Sequence, residues 1–474
     1  MKNRSRRLLS DVATFSISNF ASKLLVFLMV PLYTHVLSAE EFGIADLMTS
    51  TLNILSPLLT LAIAEATMRF LLDKDSDKGK VLGASLLFIG IGFVVLILAT
   101  PLAKKLSAEL SEYWGYFLAL YLLGAVNGCQ SNYIRGIDRI RLFAIKGILH
   151  TATTISLNII FLLVLRTSVK GYLTAILLSD VIVIIFGVIA CKMWQVIPQI
   201  RLDKKIIKEM LQYSVPMMPT IIAWWVMQTS DKYVVIAVCG IAASGLYSVA
   251  YKIPSILSIV TSIFNQAWQI SAVKSLDDPD YNSYLTGVYR SFFALSLSLC
   301  SVLICASELL GKILFAGEFF TAWTYVPILL VAYFMSGLSG VMASIFTARK
   351  RTLALFYSTL CGAVLNLVLN IFLIPVFGVM AAAATTALGF FVTYWIRKIC
   401  VTKYFGLKIN GAKEILMTCT LVVQAVVMSF GQWWGYVVQV VALAVIALSY
   451  RNDIIKLITK IKQLAIQFIR RKEK

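Results

Sequence analysis

The chain is short of charge. Asp, Glu, Lys and Arg make up 14% of its 474 residues and hydrophobic residues 59%, whereas soluble domains carry roughly 25% and 45–50%. A string of soluble domains is therefore excluded, and nearly every segment between charge clusters is long enough to cross about 30 Å of hydrocarbon. The eight cysteines include no CxxC pair, so neither a metal site nor a disulfide framework is implied, and they read as small apolar packing residues. No segment matches GxxxxGKS/T, which leaves the sequence without an ATP-binding module of its own. On one side of the membrane the loops are all short, the longest lying around Lys104 to Glu112, so no catalytic domain fits there. The leading MKNRSRR precedes an apolar stretch with no small-residue cleavage site, which reads as a retained first span.

What is present is an all-α polytopic membrane protein with about fourteen transmembrane helices. Hydropathy places them at Val12–Leu37, Phe42–Leu72, Val81–Ala103, Tyr113–Tyr133, Leu142–Leu165 and Gly171–Met193. A basic, partly amphipathic connector, Arg201–Gln212, follows. The rest are Val215–Val238, Gly245–Ile270, Leu285–Phe315, Thr324–Ala348, Leu353–Phe377, Val379–Cys400, Ile415–Phe430 and Trp434–Tyr450. Of the 43 Lys and Arg, 35 fall on one side, five on the other, and Lys23, Lys232 and Lys252 inside spans. Such a bias puts both termini in the cytoplasm, and an even span count agrees. The net charge of +20 is thereby explained by topology, and no nucleic-acid partner is expected. The tail, 451–474, is expected to form a basic amphipathic helix on the anionic inner leaflet.

Two echoes divide the sequence. The first two spans can be laid on the seventh and eighth with Gly43 opposite Gly245. Leu157-Asn158-Ile159-Ile160-Phe161 likewise echoes Leu369-Asn370-Ile371-Phe372. Two six-helix lobes are expected, 1–200 and 201–405, then two additional helices in 406–450. Six is even, so the lobes share an orientation and form a parallel repeat.

PLYTHVLSAEEFG after the first span, KEMLQYSVPMMP before the seventh, SDKYVVIAVCGIAASGLYSVAYKIP and the LNI repeats together resemble the polysaccharide flippases of the multidrug/oligosaccharidyl-lipid/polysaccharide exporter superfamily, the O-antigen and capsule repeat-unit exporters. The resemblance covers roughly Leu8 to Cys400. It implies a non-catalytic, alternating-access transporter of the bacterial plasma (inner) membrane. The substrate would be undecaprenyl-diphosphate-linked oligosaccharide, moved to the outer leaflet for surface polysaccharide biosynthesis. Membrane lipids, polysaccharide polymerase and chain-length machinery are the implied partners. No cofactor is implied beyond a coupling ion, H+ or Na+. The two additional helices are similar to those of fourteen-span members, which include peptidoglycan lipid II flippases.

A diphosphate head crosses hydrocarbon only through a wet, cationic cavity, and Lys suits it as a hydrated, movable charge. Lys23 shares a polar stripe with Ser16 and Asn19 and is the first substrate-binding candidate; snorkelling to an interface is its other reading. Lys252 lies about two turns into the eighth span, where Pro254 breaks the backbone ladder. Asp231 and Lys232 are adjacent and point about 100° apart, so they are not expected to pair with each other. Trp224, Gln228 and Asp231 share a face that would line the cavity, whereas the Asp231–Lys232 pair could instead hold an outer gate. Glu65 and Arg69, four apart, are expected to form an ion pair that locks or gates. Asp46, Asp180 and His150 are candidates for ion coupling.

Three competing classes remain. A drug or cation antiporter of the same superfamily would want a net acidic cavity, against Lys23, Lys232 and Lys252. A membrane glycosyltransferase or polymerase would need a sizeable acidic loop. A structural membrane protein leaves lysines inside three spans unexplained.

Overall fold

The computed structural model describes residues 24–25, 27–73, 76–106, 108–274, 281–349, 351–405, 411–433 and 435–451. These residues form helices and turns with no strand. An apolar chain in lipid has no water to satisfy its backbone, and the α-helix satisfies it within each segment. Numbered in order, the helices are α1 Val30–Val36, α2 Ala39–Leu59, α3 Ile63–Leu71, α4 Lys78–Leu98, α5 Thr100–Leu106, α6 Ala108–Gly136 and α7 Ile140–Asn158. They continue as α8 Ser168–Ala190, α9 Lys204–Ser214, α10 Met218–Cys239, α11 Ile241–Ala250, α12 Pro254–Lys274, α13 Tyr281–Cys305 and α14 Ser307–Leu314. The last are α15 Val326–Ala348, α16 Thr352–Phe377, α17 Val379–Phe405, α18 Gly411–Ser429 and α19 Gly435–Arg451.

Among the described residues nine helical stretches are long and apolar enough to span, and α11 with α12 makes a tenth, bent by 49°. α6 and α10 have the length but carry more polar side chains, and α19 is a shorter apolar helix. Together these account for the second to fourteenth expected spans, so the chain folds as an all-α polytopic membrane protein. Of the first expected span, Val12–Leu37, the part up to Lys23, with Asn19, lies outside the described residues, and α1 falls in its later part. The basic tail beyond Arg451 also lies outside them.

The chain forms two compact units, one running to Ile236 and taking in Gly240–Gly245, the other taking in Ala237–Cys239 and everything from Leu246. In the first, α3, α4 and α6 share a core of Ile63, Ala66, Leu82, Ala84 and Ile134, and the apolar face of α9 (Ile206, Ile207, Leu211) packs onto it. The basic connector foreseen in the sequence is thus an amphipathic helix docked on the bundle. In the second unit α15 is the central element, with Leu329, Leu330, Phe334, Leu338, Val341 and Ile345 all fully buried. A helix apolar on every side belongs in such a position.

Two helices of the first unit are broken. α2 carries Pro57 within it, and beyond its end Leu61 and Ala62 both lie in the left-handed region at φ 50° and 52°. Proline removes a helical donor, and two consecutive left-handed residues turn the chain sharply into α3. α7 runs into a π-helical turn, Ile159–Val164, immediately after Asn158. Asn158 and its echo Asn370 are both fully buried.

Candidate functional site

The hairpins matched in the sequence meet in the first unit. α2 begins at Ala39 behind a capping box of Ser38 and Glu41, and α11 begins at Ile241 behind Gly240, whose φ of +91° suits only glycine. Glycine is the fifth residue of each helix. A methyl group on Gly43 would lie 2.5 Å from the Ile241 carbonyl oxygen, and one on Gly245 would run into the Ala39 carbonyl oxygen. The contact is reciprocal: the glycine of each helix faces the first residue of the other. Backbones approach this closely only where side chains are absent.

Beside it, polar contacts join α2 to α10. The Lys232 ammonium lies 2.7 Å from Asp46 Oδ2, with both side chains largely buried. Thr51 and Tyr233 hydroxyls share a 2.6 Å hydrogen bond, and the Trp225 indole donates to the Ser50 carbonyl at 3.1 Å. Asp46, assigned to ion coupling, and Lys232, assigned to substrate, are thus brought together as an ion pair. Asp231 is buried and accepts from the Lys232 backbone N–H at 2.9 Å. Of the face expected to line a cavity, Trp224 is exposed and Gln228 half-buried.

A second polar group lies between α6, α7 and α8. Asp180 accepts from the Asn127 amide at 2.7 Å, and His150 Nε2 stands 3.2 Å from the same oxygen. Lys146 is buried and donates to the Asn127 carbonyl and to Ser131 Oγ at 3.2 and 3.1 Å. The Asp180 carboxylate thus has an imidazole beside it, and the Lys146 ammonium bonds the same asparagine. The sequence singles out Asp180 and His150, whereas Lys146 is one of the 35 Lys and Arg that the charge bias assigns to one side. Among the described residues no group of three or more His, Cys, Asp or Glu could hold a metal ion.

Lys252 occupies the turn between α11 and α12, half-buried, its N–H bonded to the Val249 carbonyl and its own carbonyl accepting from Ser255 Oγ at 2.5 Å. Nearby in sequence, the Tyr247 and Tyr251 hydroxyls share a 3.0 Å hydrogen bond. Elsewhere in the second unit, Asn370 donates to Asn366 at 3.1 Å and accepts from Thr385.

One expected pair is corrected. Arg69 bonds Asp73 Oδ1 at 2.8 Å, not Glu65. The long side chain extends past the end of α3 toward solvent, where both partners are exposed, and there a guanidinium keeps its hydration.

Sequence reasoning missed a cluster at the end of α17. Arg397 is buried with all its hydrogen bonds going to neutral oxygens: Ser358 Oγ, the Ser339 carbonyl and hydroxyl, Thr359 Oγ1 and the Leu355 carbonyl. Next to it Lys398 pairs with Glu414 of α18 at 2.7 Å over the Trp395 ring, and Glu414 also accepts from Tyr289 and Tyr394. Charges near the end of a span look like loop charges, and nothing in the sequence marks these as buried.

The fold and sequence have known counterparts. A probable low-salt glycan biosynthesis flippase, Agl15, from Haloferax volcanii is 22% identical over 422 residues, covering 84% of this chain and 85% of that protein. Among solved structures, the lipid II flippase MurJ in an inward closed conformation superposes with a TM-score of 0.71 at 12% identity, covering 93% of this chain and 99% of that one. An inward-facing multidrug resistance MATE transporter of the MOP superfamily gives 0.63 at 14%, covering 83% and 96%. At such identities these two establish likeness of fold. The family model described as polysaccharide biosynthesis protein matches residues 8–269, more than half the chain and both hairpins. The chain belongs to that family of polysaccharide biosynthesis proteins.

Proposed function

We propose that the protein is a flippase that carries undecaprenyl-diphosphate-linked oligosaccharide repeat units from the inner to the outer leaflet of the bacterial plasma membrane. It transports and does not catalyse, and the glycan goes on to O-antigen, capsule or another surface polymer through polymerase and chain-length machinery. The observation that carries this reading is the family match over both hairpins, supported by the glycan flippase named among its relatives. The distribution of Lys and Arg supports cytoplasmic termini. Two lobes, 1–200 and 201–405, alternate access around the diphosphate.

Lys252 sits in the break of a bent span, the kind of position at which transporters hold substrate near the bilayer midplane. Lys23 and Asn19 are its counterparts on the first span. Asp180 with His150 serves as the H+ or Na+ coupling group, and the Asp46–Lys232 pair holds the outer gate with Gly43 and Gly245. In proteoliposomes loaded with the lipid-linked glycan, Lys23→Ala and Lys252→Ala should each reduce flipping by at least tenfold while insertion stays normal. Undiminished flipping would overturn the cavity assignment. Export of a cationic dye by the wild-type protein, with no movement of the glycan lipid, would favour the antiporter reading.

A further inference from the structure

Between α2 and α6 lies a recess of about 300 Å³ lined by Leu52, Asn53, Ser56, Pro57, Leu120, Tyr121, Gly124 and Ala125. Asn53 is about 21 Å along its helix at 1.5 Å per residue, inside the apolar stretch, yet its side chain is exposed. Among the described residues neither its amide nor the Ser56 hydroxyl has a hydrogen-bond partner. Pro57, four residues on, has no N–H to give the Asn53 carbonyl. One turn of α2 therefore presents an amide, a hydroxyl and a carbonyl freed of its helical bond. Opposite, Gly124 and Gly128 are exposed with open space where side chains would be.

The chemistry of an occupant is constrained from three sides. A polyprenyl chain in the recess would leave the amide unpaired in hydrocarbon, at a cost of several kcal/mol in an apolar medium. Among the described residues no Lys or Arg lines the recess, so they offer a diphosphate no counter-charge there. A neutral, hydroxyl-rich ring satisfies donor and acceptor together, since Asn supplies both, and the bare glycine face admits it closely. The volume is at the low end of small-molecule sites, which run about 300–1,000 Å³.

We propose that this recess is a glycan subsite of the first unit, in which Asn53 and Ser56 bind a sugar of the lipid-linked substrate while the diphosphate is held elsewhere. The inference rests on the flippase reading and adds to it the part of the substrate recognised here.

The experiment compares two probes on the full chain in nanodiscs: undecaprenyl diphosphate, and the same carrier bearing one N-acetylglucosamine. Gly124→Phe, which fills the open space, and Asn53→Leu, which removes the amide at similar volume, should each weaken binding of the glycosylated probe about tenfold, the worth of one net hydrogen bond. Binding of the bare carrier should not change. Equal weakening of both probes, or no weakening of either, would overturn the subsite while leaving the flippase reading standing. If the wild-type protein bound neither probe, the flippase reading would fall and the subsite with it.

Discussion

Lys232 and Asp46 lie 186 residues apart in the sequence and 2.7 Å apart in the fold. Removing one partner leaves the other charge largely buried, and hydrogen bonds to charged groups are worth about 1.5–3 kcal/mol. Lys232→Ala should lower stability by that amount in thermal melts of the detergent-solubilised protein, and the exchange Asp46→Lys with Lys232→Asp should recover part of it. A variant as stable as wild type would show that the pair contributes nothing. Both residues stood out in the sequence as charges inside apolar runs, but their pairing did not, because hydropathy carries no information on which helices touch. Arg397 was invisible for the opposite reason: at the end of a span an arginine looks solvated, and only packing reveals that neutral oxygens surround it.

At the scale of elements, the connector leading to α9 is strapped onto α4. A methyl on Gly79 would collide with the Gln199 carbonyl, and one on Gly83 would come within 2.6 Å of the Arg201 carbonyl. Two ion pairs close the strap, Arg201 to Asp77 at 2.7 Å and Lys80 to Asp203 at 2.5 Å. The Arg201 guanidinium bonded to Asp77 holds that carboxyl below its ordinary range, and the Lys80 ammonium does the same for Asp203. Carboxylates lowered on folding add stability above their unfolded value, and that stability is lost as pH falls through the folded value. The strap should therefore be fully held at neutral pH and loosen below about pH 4. Amide exchange over residues 195–204, corrected for its intrinsic pH dependence, should show protection lost in acid. Unchanged protection would mean that backbone packing alone holds the strap. The basic, partly amphipathic character of the connector was legible, whereas the glycine-backed landing site on α4 was not, since glycine in an apolar helix has many uses.

On the scale of the whole molecule, α18 and α19 are integral to the second unit. Lys398–Glu414 ties α18 to α17, Ser301 and Gln424 exchange hydrogen bonds of 2.8 and 3.0 Å between α13 and α18, and Gln439 of α19 donates to the Gln424 carbonyl. Glu414→Ala strands a buried ammonium, and breaking such a pair costs about 3–5 kcal/mol. A clear fall in melting temperature should result, largely reversed when Lys398→Met is added. A Glu414→Ala protein melting like wild type would refute the docking role. Helix number and span order were readable because each span is a local property of its own residues. How the last two helices attach depends on cross-helix pairs that no single span announces.

The reciprocal contact of Gly43 with Ile241 and Gly245 with Ala39 has the form that two identical half-length chains would make about a twofold axis. Four positions in one chain thus behave as two. A bulkier residue at either glycine meets the opposite helix start, whichever half it arises in. Neither helix start can gain a side chain at its glycine without the other backing away.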